Sequence, residues 1–292
     1  MQDASFEPSS DSDVFIVEFT DPACPWAYSA EPFRWRLNWL YGDQIDGGVR
    51  MVVLSKSPDD YLERDFTPEK QSEAFHRIAA DHGMPIDTRV RSRMTATLPA
   101  CHAVVATRIR RPNRARALLR RLRLRHFAGE LIDEQATIDG AAREALIDPD
   151  ELAEWRKAPV VTAALEQDMR AAREPMPAAR ALDHKLANWS GGRRYTCPSL
   201  EIVRRSDGVR IAVPGFQPFA AYDVILANLV PDLDRREPPE SVEEVLRWAP
   251  TPLATKEVAV ICDIPLADAR EQLGRVAVER HVGAEGLWSL PD

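Results

Sequence analysis

The run Val14-Phe15-Ile16-Val17-Glu18-Phe19-Thr20, followed by Asp21-Pro22-Ala23-Cys24-Pro25-Trp26-Ala27-Tyr28, constrains this chain more than any other stretch. A nearly continuous apolar run rich in β-branched and aromatic residues predicts a buried strand. Pro25 lacks a backbone N–H, which costs nothing only in the first turn of a helix. Phe33, Leu37 and Leu40 then recur at helical spacing, so a helix is expected from Pro25 to Tyr41, stopped by Gly42. Cys24 therefore falls at the junction of strand and helix. There the free amides and the positive end of the helix dipole favour thiolate over thiol, which makes a cysteine nucleophilic. A second strand is expected over Val49–Leu54, completing a right-handed βαβ unit with a parallel strand pair.

The 292 residues, 45% of them hydrophobic, allow one domain with insertions or two domains. No run of eighteen apolar residues occurs, and Met1–Asp13 is polar and acidic, so neither a membrane span nor a signal peptide is expected and a cytoplasmic location is. Cys24, Cys101, Cys197 and Cys262 are too scattered for a disulfide framework, and no Cys-x-x-Cys or His-x-x-x-His spacing exists, so no metal site is expected. The formal charge of −8 argues against broad nucleic-acid affinity. Yet Thr88–Gly129 holds twelve Arg and no Asp or Glu. That segment is either paired internally with the acidic remainder or forms a patch for an anionic ligand.

From Leu62 to Ile138 the pattern is helical, punctuated by Pro68, Gly83, Pro85, Pro99 and Pro112, with Asn113 a candidate N-cap and Ala100–Ala106 a candidate core helix. Cys101 is expected to pack in that core, with His102 on another face, and Cys262 to pack near a turn of the C-terminal part. Helical patterning returns at Asp148–Lys157 and Val160–Arg173 and continues less clearly toward Trp189, where Ser190-Gly191-Gly192 ends it. Ser199–Val203 and Val209–Val213 predict a hairpin around Ser206-Asp207-Gly208, and Phe219–Leu229 a final helix.

Asp21-Pro22-Ala23-Cys24-Pro25-Trp26-Ala27-Tyr28 resembles the active-site segment of DsbA-family thioredoxin-fold proteins, closest to the FrnE-like branch. The resemblance covers roughly Val14–Leu229 and implies a thioredoxin-like α/β fold of DsbA type with a helical insertion, about 62–190, over the active-site face. Where that family reads Cys-Pro-Trp-Cys, this chain has Ala27 in place of the second cysteine. The usual release of a mixed disulfide by that second thiol is therefore closed. An external thiol, another cysteine of the chain, or loss of redox function remains. Thr196-Cys197-Pro198-Ser199 occupies the place of the family's cis-proline loop, which implies that Cys197 lies near Cys24. The expected catalytic residues are thus Cys24 and Cys197, with Pro25, Trp26, Pro198 and Gln217 lining the substrate site. Glu18 is a candidate proton acceptor or a solvated edge residue.

The resemblance implies a thiol oxidoreductase or thiol transferase acting on a thiol or disulfide substrate, using Cys24 as a single nucleophile, with no bound cofactor. A low-molecular-weight thiol such as glutathione, mycothiol or a coenzyme A ester would be co-substrate, and the Arg-rich insertion is a candidate for steering it. A different class also fits. Asp21–Pro25 with Glu31-Pro32 and Tyr41-Gly42 resembles the SpxH-type branch, whose members are adaptors that present a surface to a protein partner. A glutathione-transferase-like or isomerase member is a third reading.

The expected organisation is a flexible arm at 1–12, a thioredoxin-like domain at 13–230, a linker at 231–240 and an appendix at 241–292. In the appendix, Thr255–Cys262, the turn Asp263-Ile264-Pro265, Leu266–Glu279 and a Gly-containing ribbon from His281 to Leu290 resemble a winged helix. From Glu240 to Asp292 there are ten acidic and five basic residues, so DNA phosphate is not the expected partner.

Overall fold

The computed structural model describes residues 12–291, and the expected arm at residues 1–11 lies outside them. The chain enters through β1 (Val14–Thr20), whose side chains are buried on both faces except Phe15, as a central strand requires. Two helices follow instead of one, α1 (Pro25–Ser29) and α2 (Glu31–Tyr41), separated at Ala30. Pro32 explains the break, because at the second position of α2 it has no N–H to continue the α1 ladder. Gly42 ends α2 at φ 53°, a conformation a side chain disfavours.

The second strand, β2 (Ile45–Met51), starts and stops earlier than the apolar run suggests. Val53 is forced to φ 57°, and the next amide, Leu54 N, is taken by the Asp21 carboxylate at 2.9 Å and by Thr97 Oγ1 at 3.1 Å. β1 and β2 pair in parallel.

The insertion comprises α3 (Asp59–Leu62), α4 (Pro68–His82), α5 (Leu98–Arg110), α6 (Pro112–Phe127), α7 (Gln135–Glu144), α8 (Pro149–Arg156) and α9 (Pro159–Arg173). In α5 the stretch Ala100–Ala106 is wholly buried apart from His102, whose Nε2 meets Thr162 Oγ1 of α9. Asn113 does not cap α6. Pro112, tolerated at the first helical position, starts that helix two residues earlier, with Arg111 as N-cap. Asp148 does cap α8, accepting from Asp150 N and Glu151 N. Beyond α9 the helix stops, since Pro175 holds Glu174 out of the α region. A 3₁₀ segment, Pro177–Lys185, and a hairpin of β3 (Leu186–Trp189) and β4 (Gly192–Tyr195) replace the expected helix, with Ser190-Gly191 as the hairpin turn.

The sheet is completed by β5 (Ser199–Arg204) and β6 (Arg210–Val213), in the order β2-β1-β5-β6 with β5 antiparallel to β1, and is backed by α10 (Phe219–Leu229). This is a thioredoxin-like fold with a helical insertion. Residues 231–240 are irregular but anchored. Arg236 N donates to Leu40 O at 2.8 Å, the Arg236 guanidinium lies 3.6 Å from the Trp39 ring centroid, and Trp39 Nε1 donates to Glu237 O.

The C-terminal part holds α11 (Val242–Trp248), β7 (Leu253–Ala254), α12 (Thr255–Cys262), α13 (Leu266–Val276), β8 (Val278–Val282) and β9 (Glu285–Ser289), its strands ordered β7-β9-β8. It does not own its core. Val245, Leu253, Val258, Leu273 and Trp288 share one apolar cluster with Val14, Leu37, Leu40, Ile202 and Leu226, because α12 packs along α2. The ribbon residues Val282 and Leu287 join a second cluster with Tyr28 of α1 and Phe75, Ile86 and Phe127 of the insertion.

The arginines of α6 turn mostly inward. Arg123, with no side-chain exposure, reaches Glu31 at 2.6 Å and Glu18 at 3.4 Å. Arg120 pairs with Glu257 at 2.7 Å and also with Glu31, joining insertion, α2 and C-terminal part in one buried ionic network. Arg108 of α5 meets Asp168 of α9 at 2.7 Å, and Arg93 meets Asp133 at 2.7 Å. The basic segment is thus largely neutralised inside the molecule, which removes it as a steering patch for an anionic thiol.

Candidate functional site at Cys24

Cys24 is the N-cap of α1, with extended backbone (φ −77°, ψ 114°) and Pro25 at the first helical position. The amides of Trp26 and Ala27 point at its sulfur and favour the thiolate. Across from it the Cys197–Pro198 peptide bond is cis, and Cys24 Sγ lies 3.2 Å from Cys197 O. Both cysteines are buried, 6% and 7% exposed, and neither forms a disulfide.

Two contacts between the cysteines act in opposite directions. The Cys197 carbonyl accepts from the Cys24 thiol and so favours the protonated form, whereas the Cys197 S–H donates to the Cys24 sulfur and favours the thiolate. The Cys197 S–H, helped by the α1 amides, outweighs burial and the nearby Asp21 charge, so the Cys24 pKa is lowered from its ordinary value. Burial and the adjoining Cys24 sulfur push the Cys197 thiol well up. Of the two thiols, Cys24 is the one whose thiolate is favoured and Cys197 the one held protonated.

Ala27 is fully buried. Trp26 stands 42% exposed at the rim, edge-on to His82 at 5.1 Å and to Phe216 at 5.8 Å. Pro25 and Pro198 flank the sulfurs in sequence, and Pro198 also lines a cavity of about 280 Å³ with Phe33 and Tyr222. Gln217 lies on the loop of Phe216 but donates its side-chain amide to Pro214 O at 2.9 Å, closing its own turn instead of offering that group to a ligand.

Glu18 is corrected more strongly. It is neither solvated nor free to take a proton, because Arg34 at 2.8 Å, Arg116 at 3.3 Å and Arg123 at 3.4 Å surround it. Burial alone would raise its pKa, but the three guanidiniums together lower it to about 2.

The carboxylate beside the site is Asp21, which pattern reading passed over. It is completely buried, accepts from Ala23 N and Leu54 N at 2.9 Å each, and lies 3.5 Å from Cys101 Sγ. Burial outweighs these donors and raises its pKa above the ordinary carboxylate value. Cys101, held as a thiol by burial and by Asp21, packs in the core as expected while also donating to that carboxylate. The available signal was the acidic residue three positions before Cys24, where strand gives way to helix. Cys262 sits half-buried beside the α12–α13 turn, its thiol raised to about 11 by burial. Among the described residues no three His, Cys, Asp or Glu side chains converge to hold a metal, and no helix is long and apolar enough to cross a membrane.

A family model described as Thioredoxin matches residues 18–177. The chain belongs to this thioredoxin family, and its fold is of the DsbA type. Sequence relatives include the ClpXP adapter protein SpxH of Halalkalibacterium halodurans, 25% identical over 274 residues, spanning 91% of this chain and 83% of the relative. SpxH of Bacillus subtilis is 23% identical over 283 residues, spanning 91% and 84%. Similar solved structures include a probable DsbA oxidoreductase of Streptomyces coelicolor, TM-score 0.54, 18% identical, covering 78% of this chain and 93% of that one. The cytosolic disulfide reductase DsbM of Pseudomonas aeruginosa has TM-score 0.53, is 19% identical, and covers 74% and 100%. It has also been solved with GSH, TM-score 0.51, 19% identical, covering 75% and 98%.

Proposed function

We propose that this protein is a cytoplasmic thiol–disulfide exchange protein with Cys24 as its single nucleophile. The observation behind this reading is the placement of the Cys24 sulfur at the N-terminus of α1 beside the Cys197–Pro198 loop, with its pKa lowered. The Cys24 thiolate attacks one sulfur of a disulfide R–S–S–R′. The bond Cys24–S–S–R forms, the original S–S bond breaks, and R′–S⁻ leaves and takes a proton from water. A small external thiolate R″–S⁻ then attacks the Cys24 sulfur and R–S⁻ leaves; a second R″–S⁻ attacks the R″ sulfur of Cys24–S–S–R″, forming R″–S–S–R″, and Cys24 departs with its electron pair as thiolate. Cys197, held protonated, serves as hydrogen-bond donor to that leaving thiolate, so the external thiol is the main route and attack by Cys197 a secondary one. Trp26, Pro25 and Pro198 form the docking rim, and no bound cofactor is required.

The test is reduction of a model disulfide by glutathione with wild type, Cys24→Ser and Cys197→Ser. The expected result is loss of turnover in Cys24→Ser and retention of most of it in Cys197→Ser. Equal rates in wild type and Cys24→Ser would sink the proposal.

An adaptor reading has its own support. The relatives named ClpXP adapter span 91% of the chain, whereas the oxidoreductase structures cover about three-quarters of it. In that reading the C-terminal part and the exposed Trp26 rim present a surface to a protein partner. Wild-type affinity for such a partner, measured by calorimetry and unchanged in Cys24→Ser, would favour the adaptor.

A further inference from the structure

A second concavity, of about 450 Å³, opens between the segment after β2 and the β3–β4 hairpin. That volume is in the range of small-molecule sites. Four cations line it: Lys56, Arg64, Arg173 and Arg194. Among the described residues no carboxylate lies within ion-pair distance of any of them, in contrast to the paired arginines of α6. Arg173 gives its guanidinium to Met169 O and to the face of Trp189, and Arg194 reaches Tyr195 O. The one acidic lining residue, Asp60, accepts from Lys56 N at 2.6 Å and from Ser57 and feels the charge of Arg64, so the lining carries four cations against one carboxylate. Burial lowers the pKa of Arg173, and the charge of Arg194 adds to the effect.

Residues on both walls of the cleft interact with groups next to the sulfurs. On one, Leu54 N is bound to the Asp21 carboxylate, three residues before Cys24. On the other, Arg194 stands three residues before Cys197 and its charge reaches that thiol. Tyr61, beside Ser55, feels the charges of both Asp21 and Cys24.

We propose that this cleft binds the anionic groups of a low-molecular-weight thiol, presenting its sulfur to Cys24. Guanidinium pairs recognise carboxylates and phosphates by charge-assisted, often bidentate hydrogen bonds, so the shared chemistry is an anionic thiol, peptidic or phosphorylated. This rests on the exchange function proposed above and adds the class of its co-substrate.

The experiment loads Cys24 with 2-thiopyridine in a Cys197→Ser background and follows release of thiopyridone. The attacking thiolate forms a bond to the Cys24 sulfur, the S–S bond breaks, and thiopyridone leaves as the chromophore. Glutathione, coenzyme A and neutral 2-mercaptoethanol are compared after correction for thiol pKa. The anionic thiols are expected to react about 10-fold faster than the neutral one at low salt. Lys56→Glu/Arg64→Glu, both exposed, should abolish that advantage, while Arg77→Glu/Arg110→Glu, matched in charge and remote, should keep it. An advantage confined to glutathione identifies a carboxylate ligand, and one confined to coenzyme A a phosphate ligand; both support the cleft. An advantage unchanged by Lys56→Glu/Arg64→Glu overturns it. S-methylglutathione, which has no thiol, separates the two proposals by calorimetry. Binding weakened at least 10-fold by the double substitution supports the cleft even if Cys24 proves unreactive. Absence of binding together with a reactive Cys24 overturns the cleft and leaves the exchange function standing.

Discussion

At the scale of single residues, the site is a contest over one proton. The donor that lowers the Cys24 pKa is chiefly the Cys197 thiol, so Cys197→Ala should raise that pKa and slow alkylation of Cys24 at neutral pH, whereas Cys197→Ser, which keeps a donor, should restore much of the rate. The pH dependence of iodoacetamide labelling, read by mass spectrometry at Cys24, checks both. Asp21 acts in the other direction, since its negative charge raises the Cys24 pKa. Asp21→Asn should therefore extend Cys24 labelling to lower pH, and a profile unchanged from wild type would remove Asp21 from the site. The strand-to-helix position of Cys24 could be read from the sequence because Pro25 and the apolar run are local signals. The partnership of Asp21 with Leu54 and Cys101 could not, because those residues are 33 and 80 positions away.

At the scale of elements, α6 binds the molecule together through charge. Breaking a buried ion pair strands the remaining charge, so Arg120→Ala, which leaves Glu31 and Glu257 facing one another, should cost about 3–5 kcal/mol in urea unfolding. The acid limb of stability follows from Glu18. Its folded pKa of about 2 lies below the ordinary carboxylate value of 4.5, so its contribution is complete above pH 4.5 and is lost as pH falls toward 2. The amount is on the order of 3 kcal/mol. Unfolding free energy measured across that window should fall less steeply in Glu18→Gln, although that variant starts less stable. The twelve arginines between Thr88 and Gly129 were visible in the sequence, but Glu18, Glu31 and Glu257, the partners of Arg116, Arg120 and Arg123 on α6, come from three other parts of the chain. Sequence charge alone left pairing and patch equally open.

At the scale of the whole molecule, the C-terminal part is a buttress of the thioredoxin core. Trp288, 4% exposed and donating to Thr255 Oγ1 at 2.9 Å, sits in the cluster that also contains Val14 and Leu40. Trp288→Ala should destabilise the entire chain by about 3–5 kcal/mol, as for other large buried truncations. Wild type should unfold in one cooperative step, with fluorescence and circular dichroism transitions coinciding. Two separated transitions would show that the C-terminal part folds on its own. Through Val282 and Leu287 the same part presses on Tyr28 of α1, which links it mechanically to the helix that begins after Cys24.

The sequence by itself determined the features encoded within a few residues of one another. These are the β1–Cys24–Pro25 junction, the parallel β1–β2 pair, the β5–β6 hairpin, α10 and α12, each announced by periodicity, turn chemistry or a proline. Tertiary structure alone decided what those features face. It closed Glu18 inside three guanidiniums, buried Asp21 instead, and left Lys56, Arg64, Arg173 and Arg194 around a cleft with no carboxylate within ion-pair distance of them among the described residues. The reason is electrostatic. A charge in sequence has only a sign, and its pKa and its chemistry depend on burial and on neighbours that only folding brings near.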